Sequence, residues 1–136
     1  MTDLNVPESH AELLQSPLAT LATVGPDGRP QLSTVWFLAE DGQVRFSLNT
    51  NRQKVKNLQA NPAVTVHIQD TTNPIRYLEV RGDARIEPDD DYVFAERLAA
   101  KYGGLDLRAM DAGAPGRRVV VTVEPSRINA IDLAAG

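Results

Sequence analysis

A run of basic and polar side chains without acids lies in the middle of a chain that is acidic overall. Residues 42–69 contain no Asp or Glu, whereas the whole chain carries 18 acids and 14 bases. The cations of this basic window are Arg45, Arg52, Lys54 and Lys56, and its polar residues include Ser47, Asn49, Thr50 and Asn51. Guanidinium and ammonium groups bind phosphate oxygens strongly, and hydroxyl and amide groups add further contacts. The basic window therefore predicts a site for a phosphate-sized anion, with a solvated basic helix face as the alternative.

The strand before the basic window opens with a second group of polar side chains. In residues 31–39, Gln31 and Ser33 share one face, and this pattern fits a solvated strand face and a ligand contact equally well. Trp36, the only tryptophan of the chain, falls on the opposite face, where we expect it to pack in the core.

Other kinds of catalytic or binding chemistry find little support in the sequence. The chain has no cysteine, which excludes disulfides, thiolate metal sites and a cysteine nucleophile. His10 and His67 lie far apart in sequence, so we expect no metal site. The patterns GxxxxGK[ST], GxGxxG and GxSxG are absent. The acids at 89–91 are typical of the first turn of a helix, and we name no side chain as a catalytic acid or base.

Composition argues against two classes of partner. The formal net charge of −4 disfavours nucleic acid and anionic membranes, and an aromatic content of 5% is thin for a surface that stacks bases. No apolar run approaches the length of a membrane span, and the N-terminus lacks the pattern of a signal peptide. We therefore expect a soluble, cytoplasmic protein that binds neither nucleic acid nor membranes.

Alternating and amphipathic segments predict a mainly β (α+β) barrel of six to seven antiparallel strands with a few short helices. The predicted strands are residues 18–24, 31–39, 44–49, 63–69, 75–86, 117–124 and 127–132, and the predicted helices are residues 7–15, 52–61 and 89–102. The first three strands, joined by tight turns, indicate an antiparallel meander. Gly82 marks a bend in the long strand, and residues 105–116 are expected to form a loop. We expect one domain over residues 1–136.

Three segments together resemble a known family. They are SPLATLATVGPDGRPQLSTVWF (16–37), VRFSLNTNRQKVKNLQANPAVTVHI (44–68) and YLEVRGDARI (77–86). These segments are similar to the split β-barrel family of pyridoxamine 5′-phosphate oxidase-like flavoproteins, and the resemblance spans about residues 10–131. The pieces DGRPQLSTVWF and NRQKVKNLQANP are most similar to the branch that uses the deazaflavin coenzyme F420. The C-terminal extension expected of a pyridoxamine phosphate oxidase is lacking, so we do not expect that activity.

The resemblance implies a homodimer with two cofactor sites at the subunit interface. The residues that it places around the cofactor tail are Ser47, Asn49, Thr50, Arg52, Lys54 and Lys56. Those along the ring system are Gln31, Leu32 and Ser33, and those that close the site from the neighbouring subunit are Arg76 and Tyr77. The polar second face of the long strand also favours a dimer. In such enzymes the cofactor carries the chemistry, and the protein binds and orients it.

The implied activity is hydride transfer from reduced F420 to a conjugated small-molecule substrate. F420 presents a phosphodiester and a polyglutamate tail, whereas FMN presents one phosphate monoester. The four cations of residues 42–69, with no acid among them, therefore favour F420. An FMN-dependent oxidoreductase and a carrier without turnover are the alternatives, and a barrel that binds single-stranded nucleic acid is disfavoured. We expect the loops at 70–75 and 105–116 to set substrate identity.

Overall fold

Seven antiparallel strands form one curled sheet. The computed structural model describes residues 4–135, so residues 1–3 and 136 of the predicted domain lie outside the described residues. The strands are β1 (Ala19–Val24), β2 (Pro30–Val35), β3 (Leu38–Glu40), β4 (Gln43–Asn49), β5 (Ala63–Gln69), β6 (Arg76–Pro88) and β7 (Arg118–Asp132). Their order in the sheet is β2-β1-β5-β6-β7-β4-β3. The predicted split barrel of six to seven antiparallel strands is confirmed.

Short helices connect and cover the strands. They are an opening 3₁₀ helix (Glu8–Gln15), α1 (Gln53–Ala60), α2 (Val93–Lys101), α3 (Leu107–Asp111) and a final 3₁₀ turn (Leu133–Ala135). The first three agree with the helices predicted from the sequence. None of the helices within residues 4–135 is long and apolar enough to cross a membrane.

The loop predicted over residues 105–116 contains α3, so this prediction is wrong. The Asp106 side chain accepts a hydrogen bond from the backbone N–H of Ala109 at 3.0 Å, which caps the helix. Leu107 is buried against Ala95 and Ala99 of α2. One cap and one apolar contact therefore stabilise a five-residue helix.

The predicted strand 31–39 is two strands on opposite edges of the sheet. β2 pairs only with β1, and β3 pairs only with β4, so the predicted meander is two separate hairpins. Only Trp36 and Phe37 separate β2 from β3. Because three peptide units span at most about 11 Å, the two edges must lie close together. The short connection therefore curls the sheet into its barrel shape.

The predicted strands 117–124 and 127–132 are one continuous strand, β7. Its pairing with β4 ends at Val123, so at Pro125 the strand has only β6 as a partner. A proline, which donates no backbone hydrogen bond, is tolerated on such an edge. The register shifts between Arg81 and Gly82, and a Cβ on Gly82 would lie 2.0 Å from the Glu124 carbonyl oxygen. The bend predicted at Gly82 is confirmed.

The inward faces of the strands form one apolar core. The largest fully buried side chains include Leu21, Phe37, Phe46, Ile68, Leu78 and Val121. Trp36 is only half-buried, and its ring stacks on Tyr102 with centroids 4.2 Å apart. The prediction that Trp36 packs in the core is wrong. The inward positions of β2 are Gln31, Ser33 and Val35, and the same alternation buries Phe37 and turns Trp36 to the outer face.

Of the acids at 89–91, Asp89 contacts the start of α2, as the sequence predicts. The buried Asp89 carboxylate accepts hydrogen bonds from the backbone N–H groups of Phe94 at 3.2 Å and Ala95 at 2.9 Å. Asp90 forms an ion pair with Arg117 at 2.6 Å. The Asp89 carboxylate therefore satisfies free donors at the helix start, whereas Asp90 pairs with a side chain outside α2.

Candidate anion-binding site

Helix α1 directly follows β4 and carries the central part of the basic window. Val55 and Leu58 are buried in the core and fix the helix against the sheet. Lys54 and Asn57, three residues apart, share another side of the helix and are also buried. The packing that buries Val55 and Leu58 in the core therefore also buries the polar residues Lys54 and Asn57 between the helix and the sheet.

Asn57 connects α1 with β1 and β2 through its side-chain amide. Its Nδ2 donates hydrogen bonds to Thr23 Oγ1 at 3.0 Å and to Gln31 Oε1 at 2.9 Å. Its Oδ1 accepts a hydrogen bond from Gln53 Nε2 at 2.8 Å. This network fixes the position of α1 relative to the strand that carries Gln31 and Ser33.

Lys54 presents a buried positive charge beside these side chains. Its Nζ donates a hydrogen bond to Ser33 Oγ at 3.2 Å, and the residue is only 8% exposed. Among residues 4–135, no carboxylate lies within 4.0 Å of Nζ. Burial, and secondly the charge of Arg52, lower the pKa of Lys54 below its ordinary value.

An ammonium group has three protons to donate, and one neutral hydroxyl accepts only one of them. Burying an ammonium group that has only one neutral acceptor costs free energy unless a negative group balances its charge. Arg52, at the N-terminus of α1, is exposed and forms no ion pair within the described part of the chain. Lys54 and Arg52 together therefore fit an anion such as a phosphate.

A second group of predicted residues lies on the other flank of Arg52. Ser47 and Asn49 line a cavity of about 260 Å³ together with Arg52. The Asn49 Oδ1 accepts a hydrogen bond from the Asn51 backbone N–H at 3.0 Å. Thr50 Oγ1 accepts one from the Arg117 backbone N–H at 2.8 Å. The structure thus brings two predicted tail residues, Ser47 and Asn49, together with Arg52, whereas Thr50 already has an internal partner.

The remaining predicted residues lie elsewhere in the chain. Leu32 is 65% exposed on the outer face of β2, and Lys56 is exposed on α1. Arg76 forms an ion pair with Asp70 at 2.9 Å, and the Tyr77 ring lies 4.8 Å from the ring of His67.

Arg76 and Tyr77 lie at the end of the β5–β6 pair opposite to α1. The register pairs Tyr77 with the last residue of β5, whereas α1 precedes the first. At about 3.3 Å per residue, this separation is roughly 20 Å. Within one chain these two residues therefore do not meet Lys54, and their predicted role depends on a second subunit.

Sequence reasoning missed four residues of this region: Thr23, Asn57, Asp111 and Arg118. Asn57 was detectable, because it lies three residues after Lys54 on the same predicted helix. Thr23 is a polar residue at an inward position of β1, which alternation also shows. Asp111 and Arg118 gave no local signal, since only the tertiary fold joins α3 to the start of β7.

The side chains of the site are of the kinds that bind anions. Across residues 4–135, no group of three or more His, Asp or Glu side chains is placed to hold a metal ion. The site is defined instead by a buried ammonium, a guanidinium, a hydroxyl and amides, and this donor set is complementary to anions.

The structure therefore defines a split-barrel protein with a cationic site that suits an anion. The sequence model of the Pyridoxamine 5′-phosphate oxidase family matches residues 6–132. The chain therefore belongs to this family, as the resemblance in the sequence predicted.

Solved structures agree with this assignment. The chain is 40% identical to an F420 reductase, with 91% of this chain and 98% of that protein covered and a TM-score of 0.78. It is 27% identical to a conserved hypothetical protein from Mycobacterium tuberculosis, with 97% and 88% covered and a TM-score of 0.75. HupZ of Group A Streptococcus, at 18% identity, 94% and 95% coverage and a TM-score of 0.70, shares the fold. Family and neighbours together indicate an oxidoreductase of flavin or deazaflavin type.

Proposed function

We propose that the protein is an F420-dependent oxidoreductase that transfers a hydride from reduced deazaflavin to a conjugated small-molecule substrate. The observation that carries the proposal is the buried ammonium of Lys54, which lies beside Arg52 without a carboxylate partner within the described residues. Similarity to an F420 reductase at 40% identity supports the choice of cofactor.

The side chains at the site fit the anionic part of this cofactor. Lys54 and Arg52 supply charge-assisted donors for a phosphodiester, and Ser33 Oγ, which accepts from Lys54, keeps its own proton to donate. Ser47 and Asn49 extend the polar surface beyond Arg52, and Lys56 adds an exposed charge for a longer anionic tail. Gln31 and Leu32 continue β2 from Ser33, where the ring system is expected.

When bound, reduced F420 supplies a hydride from C5 of its ring. The chain's own residues bind and orient: Lys54 and Arg52 hold the anionic group, and Asn57 keeps β2 and α1 in place. Together with a proton from solvent, that hydride would reduce one conjugated bond of the substrate. No side chain is assigned as an acid or base.

The same proposal includes a cytoplasmic homodimer with the chain as a single cofactor-binding domain. Arg76 and Tyr77 lie roughly 20 Å from α1 within one chain. A partner subunit supplies them to the site in the arrangement that we propose. In this arrangement each site is complete only in the dimer.

The cofactor is tested by titration of the full chain with F420 and with FMN, followed by the fluorescence of each ring system. We expect F420 to bind more tightly, and Lys54→Met to weaken F420 binding by roughly tenfold to a hundredfold, as loss of one charge-assisted contact implies. Arg29→Met, which removes an exposed cation of the β1–β2 turn, is the control. Tighter binding of FMN overturns the cofactor, and unchanged affinity in Lys54→Met overturns the site.

Turnover separates an enzyme from a carrier. Reduced F420 bound to the protein is mixed in a stopped-flow instrument with quinones, enones and tetrapyrroles, and oxidation is followed by the return of deazaflavin absorbance. We expect at least one acceptor to be reduced faster than in buffer. If every acceptor reacts at the buffer rate, the protein is a carrier of the cofactor.

A further inference from the structure

The side-chain amide of Gln31, on β2, forms hydrogen bonds through its oxygen but not through its nitrogen. Gln31 Oε1 accepts hydrogen bonds from Asn57 Nδ2 at 2.9 Å and from Thr23 Oγ1 at 3.5 Å. An amide oxygen has two lone pairs, so these contacts use its capacity to accept. Gln31 Nε2, with two protons to donate, forms no hydrogen bond within residues 4–135. The half-buried Gln31 side chain is therefore a donor toward any further partner.

Asn57 determines which end of the Gln31 amide remains free. Its Oδ1 accepts a hydrogen bond from Gln53 Nε2 at 2.8 Å, which leaves Nδ2 for contacts with the strands. Nδ2 donates to Thr23 Oγ1 at 3.0 Å as well as to Gln31 Oε1. Asn57 and Thr23 are only 3% and 1% exposed. Because a buried network whose members all have partners is rigid, we expect it to keep the Gln31 amide in one orientation.

Gln31 belongs to a row of hydrogen-bond donors along the inward face of β2. Ser33 lies two residues further along the same face, a separation of about 7 Å. Ser33 Oγ accepts from Lys54 Nζ at 3.2 Å and keeps its own proton to donate, and the Lys54 ammonium has further protons. An amide, a hydroxyl and an ammonium group thus present protons to the same region. This row is complementary to a ligand edge that carries several acceptors.

Deazaflavin and flavin rings have such an edge, because their pyrimidinedione part carries carbonyl oxygens. We propose that Gln31 Nε2 donates a hydrogen bond to a carbonyl oxygen of the cofactor ring, and that Asn57 is the positioning residue that keeps the amide in this orientation. The inference rests on the proposed function, since it concerns the ring of the cofactor named there. A reversed amide would place Oε1 against a carbonyl oxygen, and two acceptors repel each other. Reversal of the Gln31 amide is therefore expected to be worse than its removal.

Two substitutions separate reversal of the amide from its removal. Asn57→Asp keeps the shape of the side chain, but an ionised carboxylate only accepts hydrogen bonds. Gln31 then reaches position 57 only through Nε2, and its Oε1 turns to the site. Gln31→Met removes the amide and keeps a side chain of similar length. The control is Asn61→Asp at the exposed end of α1, because the Ala63 backbone N–H donates to Asn61 Oδ1 and donates equally well to a carboxylate.

The binding of oxidised F420 to the full chain is measured by ring fluorescence for the parent, each single variant and the double variant of Gln31→Met with Asn57→Asp. We expect Gln31→Met to weaken binding roughly three- to tenfold, which corresponds to the loss of one hydrogen bond. We expect Asn57→Asp to weaken binding more than Gln31→Met does, and Asn61→Asp to leave it within about twofold. In the Gln31→Met background, the effect of Asn57→Asp is expected to be smaller by about fivefold or more. The charge that Asn57→Asp adds near Lys54 is present in both backgrounds and cancels in this comparison.

An effect of Asn57→Asp that is equal in both backgrounds overturns the inference, because Asn57 then acts through its charge or through the position of α1. A second measurement does not depend on the folding of Asn57→Asp. In the ¹⁵N-labelled parent, the NMR signals of Gln31 Nε2 are identified by their absence from Gln31→Met, and we expect them to shift when F420 saturates the protein. Unshifted signals also overturn the inference.

Comparison of the two cofactors separates this inference from the proposed function. If the parent binds F420 and the Gln31 signals do not shift, the inference is wrong and the proposed cofactor stands. If the parent binds FMN but not F420, and FMN shifts the Gln31 signals, the contact with the ring is confirmed and the proposed cofactor is wrong. If neither cofactor binds, the inference and the proposed function are both wrong.

Discussion

At the scale of single residues, Lys54 is both charged and buried, and this burial lowers the stability of the ligand-free protein. Replacing a buried, poorly compensated charge with an apolar residue of similar length is often stabilising. We predict that Lys54→Met raises the Tm of the ligand-free protein by roughly 2–5 °C, which corresponds to about 1 kcal/mol for a domain of this size. Thermal unfolding followed by circular dichroism measures the change.

The control for this prediction is Arg29→Met, which removes a cation that is 87% exposed and is expected to leave the Tm unchanged. A fall in the Tm of Lys54→Met would show that its hydrogen bond to Ser33 outweighs the cost of burial. The site would then owe its geometry to structural stability rather than to a ligand.

Lys101 permits a prediction about pH. Its Nζ donates hydrogen bonds to the carbonyl oxygens of Ser16 at 2.7 Å and Phe37 at 3.0 Å, and it lies 3.8 Å from the centre of the Phe37 ring. Burial lowers the pKa of Lys101 from 10.5 to about 8. Between these two values the unfolded chain binds more protons than the folded protein, so the contribution of Lys101 to stability rises with pH.

Urea unfolding of the parent and Lys101→Met at pH 7, 8, 9 and 10 tests this sign. We expect the stability of the parent relative to the variant to be constant below pH 8 and to rise from about pH 8 towards pH 10.5. Comparison with the variant isolates the contribution of Lys101. A difference that stays constant or falls over this range would contradict a lowered pKa.

The residue types of the site were predictable, but their arrangement was not. The absence of acids from residues 42–69 identifies Arg52 and Lys54 as candidates for binding an anion. Nothing local to the sequence shows that Lys54 is buried or that Ser33 is its partner, because that contact depends on how α1 packs across β2. The anion-binding site therefore depends on the packing of α1 against β2, which the composition of the helix does not reveal.

At the scale of elements, the bend in the β6–β7 pair depends on one glycine. A Cβ on Gly82 would lie 2.0 Å from the Glu124 carbonyl oxygen and 2.9 Å from the Pro125 Cα, both of which are backbone atoms. We predict that Gly82→Ala destabilises the protein by roughly 1–3 kcal/mol, the usual cost of overpacking. Urea unfolding measures this loss, with the exposed Asp83→Ala as the neighbouring control. Equal stability of the two variants would show that the bend can relax.

The sequence predicted most elements but not all of their boundaries. Alternation in residues 31–39 continues across the point where β2 ends, so only the pairing partners reveal that Trp36 and Phe37 connect two edges. Pro125 led to the prediction of a break between two strands. The strand β7 continues through it because β4 no longer pairs with β7 there, so no backbone donor is needed on that side. Both errors have the same cause: a strand's end depends on its neighbours as much as on its own residues.

At the scale of the whole molecule, the outer face of β2, β1 and β5 is uncharged around Leu32. The register aligns Leu32 with Ala22 and Thr65, and Leu32 is 65% exposed. A groove of about 330 Å³ begins on this face and is lined by Ala22, Thr65 and Arg81 among others. Ala22, Val24, Pro30 and Ala63 line the same groove, and an apolar patch of this kind is typical of a surface that another subunit covers.

We therefore predict that the parent is a dimer at micromolar concentration and that Leu32→Glu is a monomer. A carboxylate in the centre of such an interface would lose its hydration without gaining a partner, which costs several kcal/mol. Sedimentation equilibrium on the cofactor-free protein measures this directly, so an effect of Leu32 on the bound ring system cannot confuse the result. Val93→Glu, which alters a side chain 62% exposed on α2, is the control and should remain dimeric. If the parent sediments as a monomer and still binds F420 tightly, one chain holds the cofactor alone. The predicted contribution of Arg76 and Tyr77 from a partner subunit is then wrong.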